Sequence, residues 1–176
     1  MYNLPQTGEK MIQQHKPIFR FLDTSGNGLG VKNAIGNYSL PGTPFFIETT
    51  DPKERYILHR VMCYIEDAET SINLSTYGGV TALTNGIVIR KVMRDGTTYD
   101  LTDALPIKSN SDWARICYDV DISTFPAGNN YVHARWTFAL SGSPLVLNPF
   151  DRLEFVMRDN LTSLVQHSFL VQGYVE

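Results

Sequence analysis

The chain has 176 residues, of which 43% are hydrophobic and 19% are charged, with a net charge of -3 and a pI near 5.8. This length suits a single domain with one core. The acidic balance argues against nucleic acid as a direct partner. No apolar run reaches the roughly 18 residues of a membrane span, and no signal-peptide pattern opens the chain. We therefore expect a chain that neither spans a membrane nor is secreted through a signal peptide.

The low fraction of charged residues has two possible explanations. The charged fraction lies below the ~25% typical of soluble domains, so another chain covers part of the surface or the exposed positions are uncharged Thr, Ser and Asn. Cys63 and Cys117 both lie inside apolar runs, which predicts two free buried thiols rather than a disulfide. Free thiols suit assembly in a reducing cytoplasm.

Residues 1–17 show no sustained periodicity and predict an N-terminal arm, followed by a β-sandwich domain over residues 18–176. The apolar residues of the arm are too few for a core. Either this terminus is unordered, or it gains order by lying across a neighbouring subunit. The arm residues expected to bind a partner are Tyr2, Leu4, Met11 and Ile12.

In the first two thirds of the chain, short apolar runs alternate with turn residues. Runs at 18–22, 44–50 and 55–67 predict strands, and the third is apolar on both faces in its middle, which favours a central position. Asp95-Gly96 predicts a two-residue hairpin turn. The segment that follows contains one short helical turn over 112–116, which Ser109 or Ser111 would cap.

The last third, residues 131–176, contains three runs that alternate apolar and polar residues. Period two is the pattern of a half-buried strand, so these runs predict three consecutive strands of one antiparallel sheet with one face on the core. The predicted core residues are Trp136, Phe138, Leu153, Phe155, Phe169 and Val171.

The whole pattern gives eight or nine short strands, with turn signals between them and no long helical period. It predicts an all-β protein, a single antiparallel β-sandwich that is jelly-roll-like by strand count.

No motif predicts catalysis, so we expect a protein that is not an enzyme and has no cofactor or metal. The four histidines show neither H-x-H nor H-E-x-x-H spacing. Asp23, Ser25 and Asn27 begin like a calcium loop, but Ala34 stands where a bidentate Glu is required. Asp119 and Asp121 share one face of a strand, where they would hold a cation or, more simply, keep an edge strand from pairing.

Carbohydrate binding is the alternative among small ligands, because β-sandwiches present aromatic platforms on sheet faces and loop rims. Tyr77, Tyr99 and Tyr131 lie near turns and would stack on sugars. Tyrosines at strand ends are also common in β proteins that bind no sugar.

Several pieces of the chain between Arg55 and Glu176 resemble a group of tailed-phage virion proteins. They include RYILHRVMCYIED and LTNGIVIR, and most specifically W-T-F, D-N-L-T-x-L-x-x-H and V-Q-G-Y-x-E. Members of the group are capsid decoration (cement) proteins or other structural proteins of the virion. The resemblance implies a jelly-roll-like domain, a homotrimer on the outside of a capsid, and the major capsid protein or another virion protein as partner. The alternative is a host-glycan or receptor-binding module of a tail or head fibre.

Overall fold

The computed structural model describes residues 15–30, 33–68, 72–78, 81–117, 119–123, 130–138 and 143–176. Within these ranges the chain forms ten strands and one helix. In chain order they are β1 (Lys16–Phe21), β2 (Thr43–Glu48), β3 (Tyr56–Asp67), β4 (Val88–Val92), β5 (Thr98–Asp100), α1 (Asn110–Ile116), β6 (Asp119–Ser123), β7 (Asn130–Thr137), β8 (Leu145–Leu147), β9 (Arg152–Met157) and β10 (Gln166–Val175). No helix in the described part of the chain is long and apolar enough to cross a membrane.

The strands form two antiparallel sheets, which confirms the predicted all-β sandwich. The larger sheet has the order β1-β10-β3-β7-β6, with β8 also paired to β3, and the smaller has the order β2-β9-β4-β5. The pairing is nested: the first strand pairs with the last, and the second strand pairs with β9. β3 lies in the centre of the larger sheet, as its continuous apolar run predicts.

The interior between the sheets contains most of the predicted core. Leu153, Phe155, Phe169 and Val171 are fully buried and Phe138 is nearly so, whereas Trp136 is only half-buried and packs against the edge of the core. The Phe155 and Phe169 rings, one from each sheet, lie 4.3 Å apart between centroids. This contact joins the two sheets at the middle of the sandwich.

The prediction that the last three runs form one sheet is wrong. β7 and β10 both lie in the larger sheet, where they flank β3, but β9 lies in the smaller sheet between β2 and β4. The chain crosses the sandwich before and after β9. Alternation shows that a strand has one face on the core, but both sheets share that core, so alternation does not say which sheet the strand joins.

The boundary of the predicted arm also changes. Lys16 and Pro17 belong to β1, where they pair with Val175 and Tyr174 of β10. The four arm residues predicted to bind a partner, Tyr2, Leu4, Met11 and Ile12, lie outside the described residues.

The hairpin and the short helix predicted in the middle of the chain are both present, but the predicted two-residue turn is wrong. β4 and β5 form the predicted hairpin, but three residues separate the closing pair, since Met93 N donates to Thr97 O at 2.8 Å and Gly96 has φ +87°. A three-residue turn with a left-handed glycine is another common hairpin form. Ser109 is the N-cap of α1, and the Asp112 carboxylate accepts hydrogen bonds from the Ser109 backbone N–H at 2.9 Å and from the Lys108 N–H at 2.8 Å.

The ladder between β10 and β3 contains a β-bulge at Gly173. The register shifts between Gln172 and Gly173, which leaves His59 of β3 without a directly opposed residue. The backbone of β3 approaches Gly173 so closely that an added Cβ would overlap the carbonyl oxygen of Ile57. Only glycine fits at this position, because the neighbouring atoms belong to the backbone and cannot move aside as a side chain can.

We therefore expect Gly173→Ala to lower the free energy of unfolding by about 1–3 kcal/mol, the usual cost of overpacking a well-packed site. Urea denaturation followed by tryptophan fluorescence measures this change. Gln172→Ala in the same strand is the control and should change the free energy of unfolding by less than about 0.5 kcal/mol. Equal stability of the two variants would show that the bulge tolerates a side chain.

Candidate interaction surface

Several polar side chains are buried inside the sandwich, where a catalytic site would be built from such groups. His167 of β10 is fully buried, and its Nε2 lies 2.9 Å from the Tyr77 hydroxyl and 3.6 Å from Cys63 Sγ. The backbone of His167 is also held, since its N–H donates to Asn33 Oδ1 and its carbonyl accepts from the Ala34 N–H, both at 2.6 Å.

The charge states of this cluster do not suit nucleophilic catalysis. Burial raises the pKa of Cys63 well above its ordinary value, and burial lowers the pKa of His167 to about 3. A thiol is activated when it loses its proton to a neighbouring base, which requires the opposite shifts. At neutral pH the thiol and the imidazole are both uncharged, and the cluster is part of the core.

The remaining thiol and the other candidate ligands are structural as well. Cys117 is free and buried, as predicted, and burial raises its pKa to about 12. Asp23 Oδ1 accepts hydrogen bonds from the Ser25 and Gly26 N–H groups, each at 2.7 Å, so this carboxylate holds its own turn. His133 and His167 lie in the same sheet, but on opposite faces, because the β3 residues they pair with, Tyr64 and Ile65, are consecutive. No group of three or more metal-ligating side chains occurs among the described residues.

The outer face of the larger sheet has a different character. Strand register places Phe21, Leu170 and Met62 in one row across β1, β10 and β3, with Phe19 two residues from Phe21 on the same face. We call these four residues the apolar strip. The ring of Phe19 is 61% exposed, and the other three side chains are half-buried. Contiguous exposed apolar side chains are typical of a surface that binds another protein.

An ion-pair cluster continues the same row toward the other edge of the sheet. Met62 is followed by Arg135 of β7 and Asp119 of β6. The guanidinium of Arg135 binds both Asp119 and Asp121, the latter at 2.9 Å from Nη2. One arginine thus neutralises half the charge of the two carboxylates. β6 is an edge strand, so the prediction that the two aspartates lie on an edge is confirmed.

The tyrosines expected to bind sugars divide into buried and exposed groups. Tyr77 is fully buried beside His167 and cannot stack on a ligand from solvent, so its assignment as a sugar platform is wrong. Tyr99 of β5 is 54% exposed. Tyr131 is half-buried on the outer face of the larger sheet, where its ring stacks on that of Tyr64 at 5.9 Å.

The residues that carry the resemblance to virion proteins hold structural positions. Asp159 accepts hydrogen bonds from the backbone N–H groups of Thr84, Asn85 and Gly86 at 2.6–3.1 Å. His167 lies in the core, and Gly173 forms the bulge. No protein-family model, curated protein or solved structure matches the chain. The assignment to tailed-phage virion proteins accordingly stays a prediction.

The burial of His167 predicts that stability falls in acid. Between pH 6.5 and about 3 the imidazole is protonated in the unfolded chain and neutral in the folded one. The unfolded state then binds more protons than the folded state. The contribution of His167 to the free energy of unfolding is therefore fully present above pH 6.5 and decreases as the pH falls, by about 1.4 kcal/mol per pH unit. His167→Gln keeps a polar group near Tyr77 and removes the titration, so its stability should depend less on pH in this window.

Denaturant titrations at several pH values between 4 and 7 measure this dependence. The control is His133→Gln, which removes a histidine that is only partly buried and should change the pH dependence less. If wild type and His167→Gln show the same dependence on pH, the neutral state of the buried imidazole is not what limits stability in acid.

Proposed function

We propose that this chain is a structural protein of a tailed-phage virion, a capsid decoration protein that binds the assembled head through the apolar strip on its larger sheet. The observation that carries the proposal is the apolar strip itself, in which Phe19 is 61% exposed although it lies on a paired strand of the sheet. Its partner is the major capsid protein or another virion protein. Localisation in the virion after assembly in the host cytoplasm belongs to the same proposal.

The fold supports this proposal at the level of architecture. Pairing β1 with β10 and β2 with β9 is what a jelly roll requires, because its strands pair from the two ends of the chain inward. Jelly rolls occur in viral capsid proteins, but also in lectins and cupins, so the fold alone does not select a function. The sequence resemblance over residues 55–176 favours the virion among these classes.

A decoration protein acts by mass action. It binds the assembled lattice and not the free subunits, so the lattice gains the free energy of binding. As a homotrimer on a local three-fold axis, the protein would repeat one contact three times. Multivalency would then convert a modest contact into lasting attachment.

A second candidate is a host-glycan or receptor-binding module of a tail or head fibre. The stacked pair Tyr64 and Tyr131 favours it, because exposed parts of aromatic rings on a sheet face suit sugar stacking. A glycan array would give a saturable signal that Tyr131→Ala abolishes. No binding on the array would leave the decoration protein as the proposal.

The strip predicts the effect of a charge at Phe19. Phe19→Glu should leave the melting temperature unchanged, because the ring is mostly exposed, and should weaken binding to capsids assembled without this protein at least tenfold, about 1.4 kcal/mol. Co-sedimentation with those capsids measures occupancy. Leu74→Glu is the matched control, since Leu74 is 56% exposed outside the strip. Equal loss of binding in both variants, or in neither, would contradict the assignment of the strip.

The arm gives a separate prediction. Deletion of residues 1–14 leaves β1 complete, since that strand begins at Lys16. We expect the shortened chain to stay folded, as measured by circular dichroism, and to lose occupancy on capsids because the arm would grip a neighbouring subunit. Full occupancy of the shortened chain would refute a role for Tyr2, Leu4, Met11 and Ile12 in binding.

A further inference from the structure

Two further surfaces lie on and beside the smaller sheet, and neither belongs to the apolar strip. One is a rigid loop that follows β5, and the other is a groove on the outer face of β4 and β9. They match each other in charge and polarity.

The loop spans Thr102–Leu105 and is called the Asp103 loop below. Its shape is fixed by Asp100, whose carboxylate accepts hydrogen bonds from the Thr102 N–H at 2.7 Å, the Thr102 hydroxyl at 2.5 Å and the Ala104 N–H at 3.2 Å. Arg115 of α1 also donates to the carbonyl oxygen of Leu105 at 3.1 Å. The loop is thus held in one conformation before any partner binds, which reduces the entropy that binding costs.

The tip of the loop exposes the side chains of Asp103 and Leu105 to solvent. Asp103 and Ala104 have φ of +54° and +59°, a conformation that residues other than glycine rarely adopt. Such residues concentrate at binding sites and switch regions. Asp103 is exposed and has no hydrogen-bond or ion-pair partner among the described residues, and Leu105 is 53% exposed. The loop therefore exposes a leucine and, two residues before it, a carboxylate that is unpaired within the described residues.

The groove has a volume of about 540 Å³ and is called the Arg158 groove below. Its lining consists of Leu40, Pro41, Val88, Arg90, Val156 and Arg158. Arg90 is already paired, since its Nε donates to Glu154 at 2.8 Å. Arg158 donates from Nη2 to the Asn85 carbonyl oxygen at 2.8 Å and has no acidic partner in the described part of the chain. The groove thus combines an apolar floor with one arginine, Arg158, that has no counter-charge among the described residues.

We propose that the Asp103 loop of one copy of this chain binds in the Arg158 groove of a second copy. The Asp103 carboxylate would pair with the Arg158 guanidinium, and Leu105 would pack on Val88 and Val156. The observation behind this choice of occupant is the charge complementarity: among the described residues the Asp103 carboxylate has no basic partner and the Arg158 guanidinium has no acidic one. Because two molecules of net charge -3 repel each other, a matched local pair favours this contact over others.

The contact joins two different surfaces, so it closes either by two-fold exchange of loops or as a ring of copies. It does not involve the apolar strip, and it does not rest on the proposed binding to capsids. If the protein self-associates in this way but does not bind capsids, the proposed function is refuted and this inference stands.

Sedimentation equilibrium of the full chain over a range of concentrations tests the inference. The wild type should give a mass above that of the 19.9 kDa monomer. Asp103→Arg and Arg158→Glu should each weaken self-association at least tenfold, and a chain that carries both changes should recover it, because reversing both charges restores the pair. A monomeric wild type at every concentration, or a double variant that associates no better than the single ones, overturns the proposal.

Arg158→Glu also removes the hydrogen bond to Asn85, so a second pair of variants keeps the test independent of that bond. Leu40, at the groove rim, is 59% exposed, and Leu40→Glu should weaken self-association as Leu105→Glu does. Leu29→Glu is the matched control, because Leu29 is 61% exposed and lies in neither surface. If Leu40→Glu associates like the control, the groove is not the binding site.

Discussion

The fold depends on the position of β10 between β1 and β3. The ladder between β3 and β10 contains ten opposed residue pairs and links segments about a hundred residues apart in the chain. The same strand supplies Phe169, which meets Phe155 of the other sheet, and His167, which meets Tyr77. Removal of β10 would open the centre of the larger sheet and expose both contacts, so the core and the ladder depend on the same strand.

This arrangement separates the polar groups of the chain into two kinds. Polar groups in the interior, such as His167 and Asp23, hold turns, strands and neighbouring side chains. The groups left for partners lie on the outer faces of the sheets and in the Asp103 loop, which is why both proposals concern interfaces between proteins.

Local and periodic features were predictable from the sequence. The hairpin at Asp95-Gly96, the helix capped by Ser109 and the inward positions of Phe155 and Phe169 depend on neighbouring residues alone. Long-range features were not predictable. The sheet that β9 joins depends on segments that are distant in the chain and meet only in the folded protein. The same is true of the overlap between an added Cβ at Gly173 and the carbonyl oxygen of Ile57.

The candidate surfaces were harder to find than the core. Register places Phe19 and Phe21 beside Leu170 and Met62, but the sequence shows them as three unconnected strands. The burial of His167 had a visible signal, because its position two residues before Phe169 places it on the inward face. Because histidine is polar, however, the sequence did not indicate that His167 is buried. The Asp103 loop had no signal, since left-handed φ at Asp103 and Ala104 follows from the hydrogen bonds of Asp100.

The antiparallel pairing of β1 with β10 also brings Lys16 and Val175 directly opposite each other at one end of the larger sheet. The chain therefore enters and leaves the sandwich at a single place. A short linker would span this gap, so the order of strands along the chain can be permuted without moving any strand. For the same reason, peptides fused before residue 16 or after residue 175 would emerge together, which suits this sandwich to displaying two segments at one point.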